Sequence, residues 1–168
     1  MTEVLRDKIE SRAAWVEQGK DYFLKSLTGQ QVDAVADAVS ATRHLPVQQV
    51  TREDFETPAL RLLADEVLAD LRDGRGPLVI GVLPPERFSP DDMERAYWGL
   101  GRLLGTPVLQ NYLGDLLTRV EKEENSDNPR DKRTKGRGYT HANAAGYHTD
   151  TDEIVGLNIR RNNEGEVA

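Results

Sequence analysis

The run TPALRLLADEVLADLRDGRGPLVIGVLPP, residues 57–85 of a 168-residue chain, decides how this sequence is read. Thr57 has the hydroxyl that a helix N-cap uses, and Pro58 suits the first helical position, where no amide hydrogen is needed. Leu60, Leu63, Ala64, Val67, Leu68 and Leu71 return every three or four residues and so share one helical face. Gly74 and Gly76 end the helix. Leu78 to Leu83 is a continuous apolar run bounded by prolines, too short for a buried helix, and reads as a buried strand. A helix that feeds such a strand points to a mixed domain of helices and sheet.

The same pattern extends in both directions. Upstream, Leu5, Ile9, Ala13 and Val16 recur at helical spacing, as do Val32, Val35, Ala36 and Val39 after Thr28-Gly29. Residues 1–50 therefore read as an N-terminal helical extension, with Tyr22-Phe23-Leu24 between its two helices and a break at Leu45-Pro46. Downstream, Ser89-Pro90-Asp91-Asp92 is a helix start with acids in the first turn, and Met93, Tyr97, Leu100 and Leu104 carry that helix to Gly105. Pro107 to Gln110, Leu116 to Val120 and Ile154 to Arg160 are short strand candidates. From Glu121 to Gly138 there is no aliphatic or aromatic residue, which predicts a mobile surface loop over residues 121–138. A long polar loop in a compact domain is either simply solvated or a lid over a neighbouring site.

Composition removes several classes of function. The chain has 22 Lys+Arg against 29 Asp+Glu, a formal charge of −7, 38 % hydrophobic residues and no cysteine. Disulfide scaffolds, thiolate metal sites and cysteine nucleophiles are excluded. An acidic balance argues against nucleic acid as partner, because phosphate binding needs a basic face. The apolar run from Pro77 to Pro85 is too short to span a bilayer, and no charged start leads into an apolar signal segment. The expectation is a soluble, cytoplasmic domain with neither membrane nor nucleic-acid partner.

The chemistry is concentrated in Tyr147-His148-Thr149-Asp150-Thr151-Asp152-Glu153. In an extended segment His148 and Asp150 point to one side, two rises of about 3.3 Å apart, while Thr149 points to the other. An imidazole nitrogen and a carboxylate oxygen so placed can reach one metal, and form two corners of the two-His, one-carboxylate triad that holds nonhaem Fe(II) with open positions. An ordinary polar strand end carries the same triplet, so alone it is a weak motif.

Its context is more specific. Phe55 to Gly114 resembles the taurine dioxygenase (TauD/TfdA) family of Fe(II)/2-oxoglutarate-dependent oxygenases. The matching features are the helix running into Asp73-Gly74-Arg75-Gly76-Pro77, the apolar strand, and the Ser89-Pro90 helix with Tyr97-Trp98-Gly99-Leu100-Gly101. Leu104-Gly105-Thr106-Pro107-Val108-Leu109-Gln110-Asn111 follows, then a variable loop, the His148-Thr149-Asp150 triplet and the apolar Ile154-Val155-Gly156-Leu157. The resemblance covers about residues 51 to 160. It implies an α+β fold, with N-terminal helices packed on part of a double-stranded β-helix (jelly roll), and a partial oxygenase domain over residues 51–168. It implies Fe(II) as cofactor, 2-oxoglutarate as cosubstrate and a small organic molecule as the substrate to be hydroxylated. His148 and Asp150 then look like the first two iron ligands, while Gln110, Asn111 and Thr149 are candidates to line the substrate or cosubstrate pocket. For Gln110 and Asn111 a strand end and turn is an equal reading. Tyr97 and Trp98 read as helix core, and His44 and His141 match no role.

One departure matters as much as the match. The family brings a distal His as third ligand and an Arg that pairs with the far carboxylate of 2-oxoglutarate, a natural bidentate role for guanidinium. After Asp150 this chain has no His, and its only later arginines are Arg160 and Arg161. The resemblance therefore implies a truncated member with closing strands missing, inactive alone or completed by another chain. The alternative is a non-catalytic remnant or interaction fragment that needs a partner chain. A hydrolase using Asp150, Asp152 and Glu153 on a hard divalent ion is a third reading.

Overall fold

The computed structural model describes residues 10, 14, 18–81, 83–111, 114–119, 149–150 and 152–159. The chain divides into two compact units, Met1–Thr106 and Pro107–Ala168. Leu5, Ile9, Ala13 and Val16 of the first expected helix, and the loop from Glu121 to Gly138, lie outside the described residues.

In the first unit a single turn of 3-10 helix (Lys20–Tyr22) leads to β1 (Leu24–Lys25), followed by α1 (Gly29–Thr42), a second 3-10 turn (Val47–Gln49), α2 (Arg52–Phe55), α3 (Pro58–Asp73), β2 (Val79–Ile80) and α4 (Pro90–Leu104). The caps set the helix starts. Thr28 accepts from the Gln31 amide, and the Gln31 side chain accepts from the Thr28 amide, closing a capping box on α1. Thr57 accepts from the Leu60 amide at 3.3 Å, with Pro58 in the first turn of α3. Ser89 and Asp92 close another box on α4.

The core is helix on helix. Val32, Val35, Ala38 and Val39 of α1, Phe55 of α2, Leu60, Leu63, Ala64 and Val67 of α3, and Ala96, Trp98 and Leu103 of α4 are buried. α4 packs on α1, α2 and α3 and on the Val47–Gln49 turn. The indole Nε1 of Trp98 donates to the Val50 carbonyl at 2.9 Å, which gives a buried N–H its partner. The buried stripe of α4 is not the one its large apolar residues suggest. Met93, Tyr97, Leu100 and Leu104 are only half-buried, while Asp92, Ala96, Gly99 and Leu103 face inward. Small residues are needed there because the Phe55 ring fills the space: a Cβ on Gly99 would lie 2.4 Å from its Cε1 and Cζ.

Asp92 binds α4 to α1. Arg43 Nε and Nη2 donate to its two carboxylate oxygens at 3.1 and 3.0 Å. This guanidinium holds the Asp92 carboxyl below the usual carboxylate range, against the upward push of burial, and the Ser89 hydroxyl and amide lower it further.

β1 and β2 form a two-stranded parallel sheet, with Leu24 opposite Val79 and Lys25 opposite Ile80. The crossover between them runs through α1, α2 and α3. Gly76 (φ +84°) makes the turn that leads from α3 towards β2. Arg75 fixes that turn: it pairs with Asp70 at 3.0 Å, donates to the Tyr22 carbonyl and lies 5.6 Å from the Tyr22 ring centroid.

The expected α+β architecture, helices on part of a double-stranded β-helix, is not what forms. About half of the described residues are helical, and two strands of two residues each are the only sheet among them. A jelly roll joins antiparallel strands in two facing sheets; this pair is parallel, and α3 and α4 bury their faces mainly on each other and on α1 and α2. Pro107 to Gln110, Leu116 to Arg119 and Ile154 to Ile159 carry no strand. Among the described residues of the apolar run from Leu78, only Val79 and Ile80 stand in a strand, with Val79 exposed.

Candidate functional site

The second unit holds the residues singled out for chemistry. Gln110 and Asn111 sit in one tight turn. The Gln110 amide donates to the Asp115 carbonyl at 2.7 Å, and the Gly114 amide to the Asn111 carbonyl at 3.3 Å. Gly114 has φ +89°, a conformation that favours glycine. Asn111 is buried, and its side chain spans the turn: Nδ2 donates to Asp115 Oδ2 at 2.7 Å, and Oδ1 accepts from the Asp115 amide at 3.2 Å. Gln110 is exposed, and its Nε2 donates to the Val108 carbonyl at 3.1 Å. The structure thus brings Gln110 and Asn111 together around Asp115. Sequence reasoning passed over Asp115, although Asn111 and Gly114 just before it are residues that favour turns. Close by in sequence, the Thr118 hydroxyl is buried with no hydrogen-bond partner among the described residues.

Thr149 and Asp150 are exposed, as are Asp152 and Glu153. His148 lies outside the described residues, so its geometry toward Asp150 is not described. Among the described residues, no group of three or more His, Cys, Asp or Glu could hold a metal ion. The donor chemistry of the pair suits two positions on iron, a neutral imidazole and a carboxylate, and falls short of a full ligand set.

No family model matches the chain. No curated protein matches it either.

Two clefts stand out among the described residues of the first unit. The apolar cleft between α3 and α4, lined by Leu63, Val67, Ile80, Leu100 and neighbours, holds about 10 Å³, scarcely space for one water. A second cleft at the start of α1 has about 250 Å³ and is lined by Lys25, Thr28, Gln31, Leu62 and Glu66 among others. It is small for a ligand pocket, and its charges already pair, with Lys25 Nζ 2.6 Å from Glu66 Oε2. Tyr97 is half-buried on α4, where burial pushes its phenol up, and His44 is exposed. No helix among the described residues is long and apolar enough to cross a membrane.

Proposed function

We propose that this chain belongs to an Fe(II)/2-oxoglutarate-dependent oxygenase that hydroxylates a small organic substrate, and that it carries the first two metal donors, His148 and Asp150. The observation behind this reading is the order of motifs: the capped helix over 58–73, the apolar run at 79–80, the Ser89-capped helix over 90–104, then the His-x-Asp triplet and the apolar run from Ile154. His148 offers a neutral imidazole lone pair and Asp150 a formal negative charge, so the pair favours a divalent ion that keeps open positions. When bound, such an iron supplies dioxygen chemistry coupled to decarboxylation of 2-oxoglutarate to succinate. The exposure of Asp150 and its neighbours suits a half-site that another polypeptide segment covers. In this reading that segment supplies the third ligand and a guanidinium for the distal carboxylate. The cysteine-free, acidic composition suits a cytoplasmic setting.

A non-catalytic chain that acts by binding a partner is the second reading, favoured by the exposure of Ile154, Val155, Leu157 and Ile159. Succinate release separates the two. Assayed alone with Fe(II), 2-oxoglutarate and ascorbate, the 168-residue chain should release little or no succinate. Joined to a C-terminal portion that brings the distal His and Arg, it should turn over, and His148→Ala or Asp150→Ala should abolish that activity. Robust turnover by the chain alone refutes the half-site, and activity that survives His148→Ala refutes the ligand assignment.

A further inference from the structure

In the first unit, residues 20–25 run as a strap past α3 and β2, through the Lys20–Tyr22 turn and β1. The anchors of this strap are polar. At one end Arg75 donates to the Tyr22 carbonyl, lies 5.6 Å from the Tyr22 ring centroid and is itself held by Asp70 at 3.0 Å. At the other, Lys25 Nζ lies 2.6 Å from Glu66 Oε2 on α3. Between them the Val79 amide donates to the Phe23 carbonyl and the Gly81 amide to the Lys25 carbonyl, both at 2.8 Å. Apolar burial adds little to this ladder, because Leu24 and Val79, which face each other, are 42 % and 57 % exposed. The Tyr22 and Phe23 rings meet edge to face within the segment itself, so release leaves that contact intact. The helical core is held differently, by apolar side chains such as Val35, Phe55 and Leu60 at 0 % exposure.

We propose that residues 20–25 open as a unit while α1 to α4 stay folded, with Arg75 as the latch and the Lys25–Glu66 pair as a salt-sensitive tie. Segments with few buried apolar contacts open at low free-energy cost, ahead of the core. Both ion pairs are partly exposed, so dissolved ions reach and weaken them. Release frees the edge of β2, where Val79 and Gly81 lose their acceptors. It also withdraws Lys25 from the cleft of about 250 Å³ at the start of α1, which Lys25 lines together with Glu66. The strap thus gates both that edge and that cleft, independently of any metal at His148 and Asp150.

Native-state hydrogen exchange of the full chain reads the opening at the Val79 and Gly81 amides, whose acceptors lie on the strap. These two should exchange well before the amides of Leu63 on α3 and Ala96 on α4. Sub-denaturing urea should leave their rates nearly unchanged, because a local opening exposes little surface. Raising NaCl from about 0.05 M to about 1 M should speed them about threefold relative to the core amides. Arg75→Gln removes a charged donor and should speed them about tenfold. Lys25→Glu should speed them about threefold, and Lys25→Glu with Glu66→Lys should restore the parent rate. Because the chain has no cysteine, Leu24→Cys with Val79→Cys can lock the strap, since paired strands lie about 4.8 Å apart, within disulfide reach. Oxidation of that variant should slow the amides of residues 79 and 81 to the core rate and remove the salt response, and reduction should bring both back. Amides at 79 and 81 that exchange only with the core would overturn the proposal. So would rates indifferent to salt, to Arg75→Gln or to the disulfide, or a charge swap that fails to restore the parent rate.

Discussion

Two glycines on α4, two residues apart, should respond to the same substitution with opposite signs. Replacing a mid-helix glycine by alanine gains about 0.5–1 kcal/mol, because alanine loses less backbone freedom on folding. At Gly101 nothing lies within 4 Å of the added Cβ, so Gly101→Ala should stabilise by that amount. At Gly99 the added Cβ lies 2.4 Å from Cε1 and Cζ of Phe55 and 2.5 Å from Cδ1. Carbon atoms pack at about 3.5–4.0 Å, so the ring must withdraw by more than 1 Å. Phe55 is 0 % exposed and its ring is rigid, so the overpacking cost of about 1–3 kcal/mol belongs near its upper end. The clash outweighs the gain, and Gly99→Ala should lose roughly 2 kcal/mol net. Urea unfolding followed by far-UV circular dichroism measures both variants, with melting temperature as a check: roughly 4–10 °C down for Gly99→Ala and up to about 5 °C up for Gly101→Ala. Phe55→Leu frees space beside residue 99, so the double variant Phe55→Leu, Gly99→Ala should be less destabilised than the two single losses combined, by about 1 kcal/mol. A Gly99→Ala chain as stable as the parent, with no coupling to residue 55, would refute the packing described for α2 and α4.

Three further outcomes follow from the same packing. Asp92 is held below the usual carboxylate range by Arg43, so its contribution is present above that range and is lost as pH falls through the lowered value; Asp92→Asn should lower stability at neutral pH and flatten its decline in acid, read as urea midpoint against pH. Trp98→Phe removes the donor to the Val50 carbonyl and should cost about 1–3 kcal/mol by equilibrium unfolding. Thr57→Ala should cost about 1 kcal/mol through loss of the α3 cap, whereas Thr57→Ser should retain most of it.

The helices were legible because their instructions are local. Thr57-Pro58 and Ser89-Pro90 fix two starts within a few residues, and of the expected face Leu60, Leu63, Ala64 and Val67 are buried while Leu68 and Leu71 are half-buried. The face of α4 was misread because the residues that meet the core, Ala96 and Gly99, are chosen for smallness, and smallness is dictated by Phe55 more than forty residues away. Strands were the least legible. A strand exists only through its partner: Leu24–Lys25 is too short to show alternation, and Ile154 to Ile159 alternates well yet meets no ladder among the described residues. The expected jelly roll failed for this reason, since an apolar run promises a strand without saying what it will pair with. The His-x-Asp triplet was visible because both donors are local, whereas the side-chain bond from Asn111 to Asp115 depends on a turn set by Gly114.

The central claim is that His148 and Asp150 act together on one metal ion. Co(II), a paramagnetic stand-in for Fe(II) that imidazole and carboxylate bind somewhat more tightly, can test it in the chain as it is. Titration into the ¹⁵N-labelled chain should broaden the amide resonances around residues 148–150 first, at substoichiometric cobalt. His148→Ala and Asp150→Ala should each remove that broadening and leave the signals of α3 and α4 unchanged. Broadening spread evenly over the acidic surface, or centred on 148–150 and indifferent to either substitution, would contradict the account.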